Sequence, residues 1–296
     1  MALTSGLPTA DTPRARPLDT PAIFAVAGAV ALFLFLAAPV LRWWYWEYTR
    51  PESFYGHAFL IPGLVALMLW HRRDALRSAG VSPAPGALAP TAAALVLLVA
   101  AVKLEMQAVM SFALLLSLLG GIWCLLGARW VRAAGVPLLF LFGMAPLPGP
   151  VLNDLTLNMQ DLSTSAAAGM LAVMGLHPVH LGNYIRMDDF VLNVDVPCSG
   201  FKLLLRLLTF SAAFAYLSET TLAKRWGIFL FSLPLSLAIN ALRIALIGLV
   251  GECLGTTAAH VFHDWSGLLT TILCMAILLG FARSLGCRRF AGQPIF

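Results

Sequence analysis

Apolar runs of membrane-crossing length recur along the chain, at about 22–41, 57–71, 87–103, 107–127, 133–147, 199–217, 226–251 and 267–284, separated by short polar breaks. A hydrocarbon core roughly 30 Å thick takes about 20 apolar residues per helix. In lipid every backbone N–H and C=O must find its partner inside the protein, which makes helices the default. The expected fold is therefore all-α: a polytopic integral membrane helix bundle of about eight transmembrane helices. The run at 57–71 is short and interrupted by Pro62 and Gly63, so it is the least sharply bounded. Composition agrees, since 60% of the 296 residues are hydrophobic and 11% charged, outside the balance of a soluble domain.

The net charge of +5 does not point to nucleic acid, because the basic residues lie singly or in small groups beside apolar runs, where they act as topology signals. With the N-terminus inside, twelve of the nineteen Lys and Arg fall on inside segments. Both termini are then expected in the cytoplasm of a multi-pass inner-membrane protein. Residues 1–20, rich in proline and small polar residues, read as a disordered cytoplasmic tail, 21–286 as the membrane domain and 287–296 as a second cytoplasmic tail. The five cysteines (Cys124, Cys198, Cys253, Cys274, Cys287) form no CxxC pair, so neither a disulfide framework nor a zinc site is indicated, and no metal or organic cofactor is expected.

The outside segments are then 42–56, a turn near 103–107, the long stretch 148–198, and 252–266. The first is crowded with aromatics (Trp43, Trp44, Tyr45, Trp46, Tyr48, Phe54, Tyr55), as in a belt of rings at headgroup level. Residues 151–175 set Leu152, Leu155, Met159 and Leu162 against Asn153, Asp154, Gln160 and Asp161 at helical spacing, predicting an extracytoplasmic amphipathic helix. Residues 178–197 look extended, with turns at Gly182-Asn183 and Asp188-Asp189, and predict a small hairpin leading to Cys198.

Three segments of similar depth carry reactive side chains: Pro197-Cys198-Ser199-Gly200, Asn240 to Ile244, and His263 to Gly267. A thiolate is the nucleophilic form of cysteine, and a helix N-terminus or a nearby cation lowers the thiol pKa. Cys198 is expected to cap a helix, with Lys202 one turn on and Arg243 on a neighbour, while Gly200 leaves room for a substrate backbone. The alternative is a small interfacial cysteine without a role. An arginine within an apolar helix costs roughly 2.5 to 3.5 kcal/mol on insertion scales and normally faces a partner. Arg243, with Asn240 on the same helical face, is either functional, snorkelling outward, or paired with Glu252 or Asp264. His263 or His260 is the candidate proton shuttle. Together these side chains offer nucleophile, oxyanion stabiliser and acid–base group.

At these residues the sequence resembles the exosortase/archaeosortase family. The likeness runs through Tyr55 to Pro62, Trp70 to Arg73, Ala145 to Pro148, Cys198-Ser199-Gly200, Asn240 to Ile244 and His263 to Gly267. The resemblance implies a catalytic Cys198, Arg243 and His263, with His260 as fallback and Asn240, Gly200, Ser199 and Lys202 as substrate-binding or supporting residues. It implies a membrane cysteine peptidase and transpeptidase acting at the periplasmic face. The implied partners are membrane-anchored exported proteins ending in a Pro-Glu-Pro-like motif, a hydrophobic segment and a basic cluster, in systems accompanying exopolysaccharide production in Gram-negative bacteria. The residues before the cysteine, Asp195-Val196-Pro197, depart from the family's usual pattern and mark a subfamily. A transporter, or a non-catalytic subunit of an exopolysaccharide export system, would also carry an intramembrane arginine, but would tolerate loss of the Cys198 thiol.

Overall fold

The computed structural model describes residues 20–195 and 198–294. The expected N-terminal tail up to residue 19, and Val196 and Pro197 of the cysteine motif, lie outside the described residues. The chain divides into two units, 1–39 and 40–296. The described part of the first is helical; the second carries everything considered below.

Eleven α-helices are described: α1 (Thr20–Thr49), α2 (Ile61–His71), α3 (Arg73–Ala79), α4 (Leu88–Lys103), α5 (Gln107–Leu126), α6 (Ala128–Ala133), α7 (Gly135–Phe140), α8 (Gly149–Val173), α9 (Phe201–Leu217), α10 (Leu222–Leu254) and α11 (Thr256–Ser284). All-α architecture is thus as the apolar pattern demands. Among the described residues the expected eight crossings are not confirmed. Five helical segments, Phe24–Thr49, Pro85–Lys103, Gln107–Leu126, Leu222–Leu254 and Thr256–Ser284, are long and apolar enough to span. A sixth arises if Gly135–Met144 and Gly149–Val173, bent by 84°, count as one broken span. The bend falls where Pro146, Pro148 and Pro150 deny the backbone a continuous helix. The run at 57–71 forms a shorter apolar helix, Gly56–His71. With 17 residues, α9 reaches about 25 Å at a rise of 1.5 Å per residue, less than a hydrocarbon core.

Between α8 and α9 the chain forms an antiparallel meander of β1 (Val179–Leu181), β2 (Tyr184–Arg186) and β3 (Val191–Asn193). Its turns fall at the two expected dipeptides, with Gly182 at φ 61°. Ile185 and Val194 point inward and pack with Leu171 of α8 and Ile244 of α10. The described part of the expected C-terminal tail, 287–294, ends in a short hairpin. After α11, β4 (Arg289–Phe290) pairs with β5 (Gln293–Pro294), and Phe290 stacks on Phe214 at 5.4 Å. Phe214 and the fully buried Cys287 anchor this turn against the bundle.

Two sequence expectations invert inside the bundle. On α8, the buried face is Thr156, Gln160, Ser163, Thr164, Ala167 and Leu171, whereas Leu155 and Leu162 are exposed. In the 42–56 segment, Trp44, Tyr48, Phe54 and Tyr55 are core residues and only Tyr45 and Trp46 stand out as an exposed belt. Trp44 Nε1 donates to Ser111 Oγ of α5 at 2.8 Å, and the Leu147 N–H donates to Tyr55 Oη at 2.9 Å. These bonds tie the aromatic segment to the helices that follow it.

Candidate active site

Three carbonyls hold the cysteine segment in place. Gln160 Nε2 of α8 donates to the Val194 oxygen, Ser163 Oγ donates to the Ser199 oxygen at 3.2 Å, and Asn240 Nδ2 of α10 donates to the Cys198 oxygen at 3.0 Å. Within the segment, the Cys198 N–H donates to the Asp195 oxygen at 2.8 Å, and Ser199 Oγ accepts from the Phe201 N–H at 3.3 Å. A loop carrying buried backbone polar groups must have them satisfied, and here polar side chains of α8 and α10 do so.

Cys198 is not the cap of α9. The N-cap is Gly200, in the left-handed region at φ 84°. A Cβ at Gly200 would lie 2.7 Å from Asn240 Nδ2, so the missing side chain admits Asn240, and the glycine also borders the cavity that holds Arg243.

Cys198 itself is buried, with its Sγ 2.9 Å from His263 Nε2. Because α11 begins at Thr256, His263 sits in its second turn and not in a loop, which fixes the ring's origin. His263 Nδ1 lies 3.3 Å from Oδ1 of the exposed Asp264. With Nδ1–H donated to that carboxylate, Nε2 carries the lone pair that faces the thiol. His260 lines the same cavity as Cys198 and His263, but only His263 reaches the sulfur.

Arg243 is held by α11 and not by Asn240 as the shared helical face implied. Its Nε donates to Ser266 Oγ at 2.8 Å and its Nη2 to the His263 oxygen at 3.2 Å, and Ser266 Oγ donates to the same oxygen at 2.9 Å. Of the five guanidinium N–H groups, three are left for another acceptor. Glu252 takes the Asp189 N–H at 3.1 Å instead, and Asp264 faces His263, so neither alternative partner of Arg243 is used.

The thiol is not the acidified one that a helix-cap position implied. Burial pushes its pKa above the ordinary value; Arg243 and, less strongly, Lys202 pull it down, while Asp195 and Glu52 push it further up. Lys202 Nζ sits 5.8 Å over the Phe54 ring and so shares its charge with an aromatic face.

Two cavities flank this cluster. One, of about 230 Å³, is lined by Cys198, His260 and His263 together with Phe190, Leu192 and Ile244. The other, of about 320 Å³, gathers Lys202, Arg206 and Arg243 with His263 and Asp264. Glu52, at φ 65°, borders both. Glu52, Ser266, Gln160 and Ser163 carry no site signal in the sequence, although Ser266 lies within the His263 to Gly267 motif and Gln160 on the polar face of the 151–175 helix.

A protein-family model described as transmembrane exosortase (Exosortase_EpsH) matches residues 43–280. The chain belongs to the transmembrane exosortase family. No curated protein and no solved structure matches it. The exosortase match takes in the whole cluster around Cys198, as well as the aromatic segment from Trp43 that supplies Glu52.

Proposed function

We propose that this exosortase-family protein is a membrane-embedded cysteine peptidase and transpeptidase, with Cys198 as nucleophile, His263 as acid–base group and Arg243 as oxyanion stabiliser. The observation that carries the reading is the 2.9 Å approach of Cys198 Sγ to His263 Nε2, within hydrogen-bond reach of a base.

Because burial favours the neutral thiol, the proton leaves as the sulfur attacks. Nε2 of His263 takes it while Sγ bonds to the scissile carbonyl carbon. The carbonyl oxygen gains the negative charge and is stabilised by the free N–H groups of Arg243, in a site of low dielectric. The imidazolium returns the proton to the leaving amine, the C–N bond breaks and a thioester remains. An incoming amine or water, deprotonated by His263, attacks the thioester and releases the thiol. Asp264 holds the tautomer that makes both transfers run through Nε2.

The substrates on this reading are exported membrane-anchored proteins with a C-terminal Pro-Glu-Pro-like motif, a hydrophobic segment and a basic cluster, presented at the periplasmic face of the inner membrane. The cationic cavity of Lys202, Arg206 and Arg243 suits the motif's carboxylate, and the cavity bordered by Phe190, Leu192 and Ile244 suits flanking apolar residues.

The test is co-expression with a tagged substrate bearing such a tail, followed by immunoblot of wild type, Cys198→Ala, Arg243→Ala and His263→Ala. Tail loss with wild type alone is the expected result. Cleavage that survives Cys198→Ala overturns the proposal.

A further inference from the structure

At the opposite end of α9 from Cys198, about 25 Å along a helix rising 1.5 Å per residue, a cavity of about 600 Å³ opens among the ends of α2, α7, α9 and α10. Its polar lining has one sign. His71, Arg72 and Arg225 contribute to it with Tyr216, and no carboxylate lines it among the described residues. None of the three basic side chains joins an ion pair among the described residues. Arg72 donates to the Ala133 oxygen at 3.2 Å, whereas Arg225 Nε and Tyr216 Oη are buried with no hydrogen-bond partner among the described residues.

A buried guanidinium N–H without an acceptor costs free energy, and a charged oxygen acceptor is its strongest partner. The start of α10 adds to the same field: Thr221 makes no side-chain cap, so first-turn N–H groups remain open at the end where Arg225 and Trp226 lie. The rest of the lining is apolar, including Ala212 and Phe229, and Trp226 is half exposed in the manner of a headgroup-level ring.

We propose that this cavity binds the phosphate headgroup of an anionic phospholipid, with Arg225, Arg72 and Tyr216 on the phosphate oxygens and the acyl chains on the apolar lining. Basic pockets between membrane helices take such headgroups. The site is separate from the Cys198 cluster and stands whether or not that cluster is catalytic.

The experiment is native mass spectrometry of the purified full-length protein, delipidated in detergent and titrated with phosphatidylglycerol or phosphatidylcholine. Wild type is expected to retain phosphatidylglycerol in preference. Arg225→Gln and Arg72→Gln should each lower that retention about fivefold. Arg77→Gln, an exposed residue paired with Asp74, should leave it unchanged, and millimolar inorganic phosphate should not displace the lipid. Equal retention of the two lipids, undiminished retention in both variants, or displacement by inorganic phosphate would overturn the proposal. If Arg225→Gln does not elute as a folded species, Arg72→Gln and Tyr216→Phe carry the test.

Discussion

Asn240 Nδ2 donates to the carbonyl oxygen of Cys198 at 3.0 Å and fills the space beside Gly200 that a Cβ would need. The Cys198 backbone is thereby locked to α10, the helix that also carries Arg243. On the proposed mechanism the nucleophile and the oxyanion stabiliser would then share one rigid support, the arrangement that holds a productive geometry within about 0.5 Å.

This lock makes a pair of substitutions informative. Asn240→Ala leaves the buried Cys198 oxygen without a donor and should cost about 1–3 kcal/mol of stability. Gly200→Ala combines left-handed backbone strain of about 1–2 kcal/mol with a clash against Asn240. The double variant should be less destabilised than the sum of the two, because the two tightest contacts, to Asn240 Nδ2 and Cγ, disappear while the 3.1 Å contact to its Cβ and the backbone strain stay. Thermal unfolding in detergent of the three variants checks this; strict additivity would mean that Asn240 moves aside freely.

Thiol reactivity should report the charges around the sulfur. With the Cys198 pKa raised by burial, its alkylation rate should go on rising with pH beyond the range where a free cysteine, of pKa about 8.5, levels off. Removing a cation raises the thiol pKa further, so Arg243→Gln should shift the profile to higher pH, and Lys202→Gln should do so by less. Glu52→Gln should shift it the other way. Iodoacetamide kinetics followed by mass spectrometry, in a background lacking Cys253, the exposed cysteine, read all four profiles. A plateau well below the free-cysteine range would contradict the burial effect.

The chemistry of the site was more legible in the sequence than its support. Cys198, Arg243 and His263 stand out because reactive or charged groups in apolar surroundings are costly, and the structure gathers them. Gln160 and Ser163 did not stand out, because an amphipathic pattern on α8 was read as if water lay on the polar side. In the fold Leu155 and Leu162 are exposed, and the polar face turns inward to satisfy the loop before α9. The aromatic segment failed for a related reason. A belt and a core both ask for tryptophan and tyrosine, and only tertiary contacts such as Trp44 to Ser111 separate them. Glu52 had no local signal at all, since its position depends on the fold that brings the 50–56 turn beside α9. The crossings expected at 57–71 and 199–217 come out as helices shorter than a hydrocarbon core, because an apolar run marks burial as readily as a membrane span.

Ser266 holds Arg243 Nε at 2.8 Å, and its replacement should separate positioning from folding. Ser266→Ala removes the acceptor of Arg243 Nε and lets the guanidinium swing away from the oxyanion position. The loss of one such bond corresponds to about 1–1.5 kcal/mol, or about tenfold in kcat, with little change in KM. Ser266→Thr, which keeps the hydroxyl, should restore most of the rate. Loss of KM rather than kcat, or no rescue by threonine, would place Ser266 in packing alone.

The two histidines should behave very differently in a cleavage assay. His263→Ala removes the group within 2.9 Å of the thiol and should lower turnover by about 10²–10⁴-fold, the range for a positioned acid–base group. His260→Ala changes only the cavity wall and should stay within a few-fold of wild type. Asp264→Asn falls between them: the carboxylate is exposed and its contact to Nδ1 is 3.3 Å, so solvent screens much of its effect, and the asparagine oxygen can still accept from Nδ1–H. Its loss should therefore be modest at neutral pH. A large loss in His260→Ala with activity retained in His263→Ala would move the proton transfer to His260 and require the Cys198–His263 contact to break during turnover.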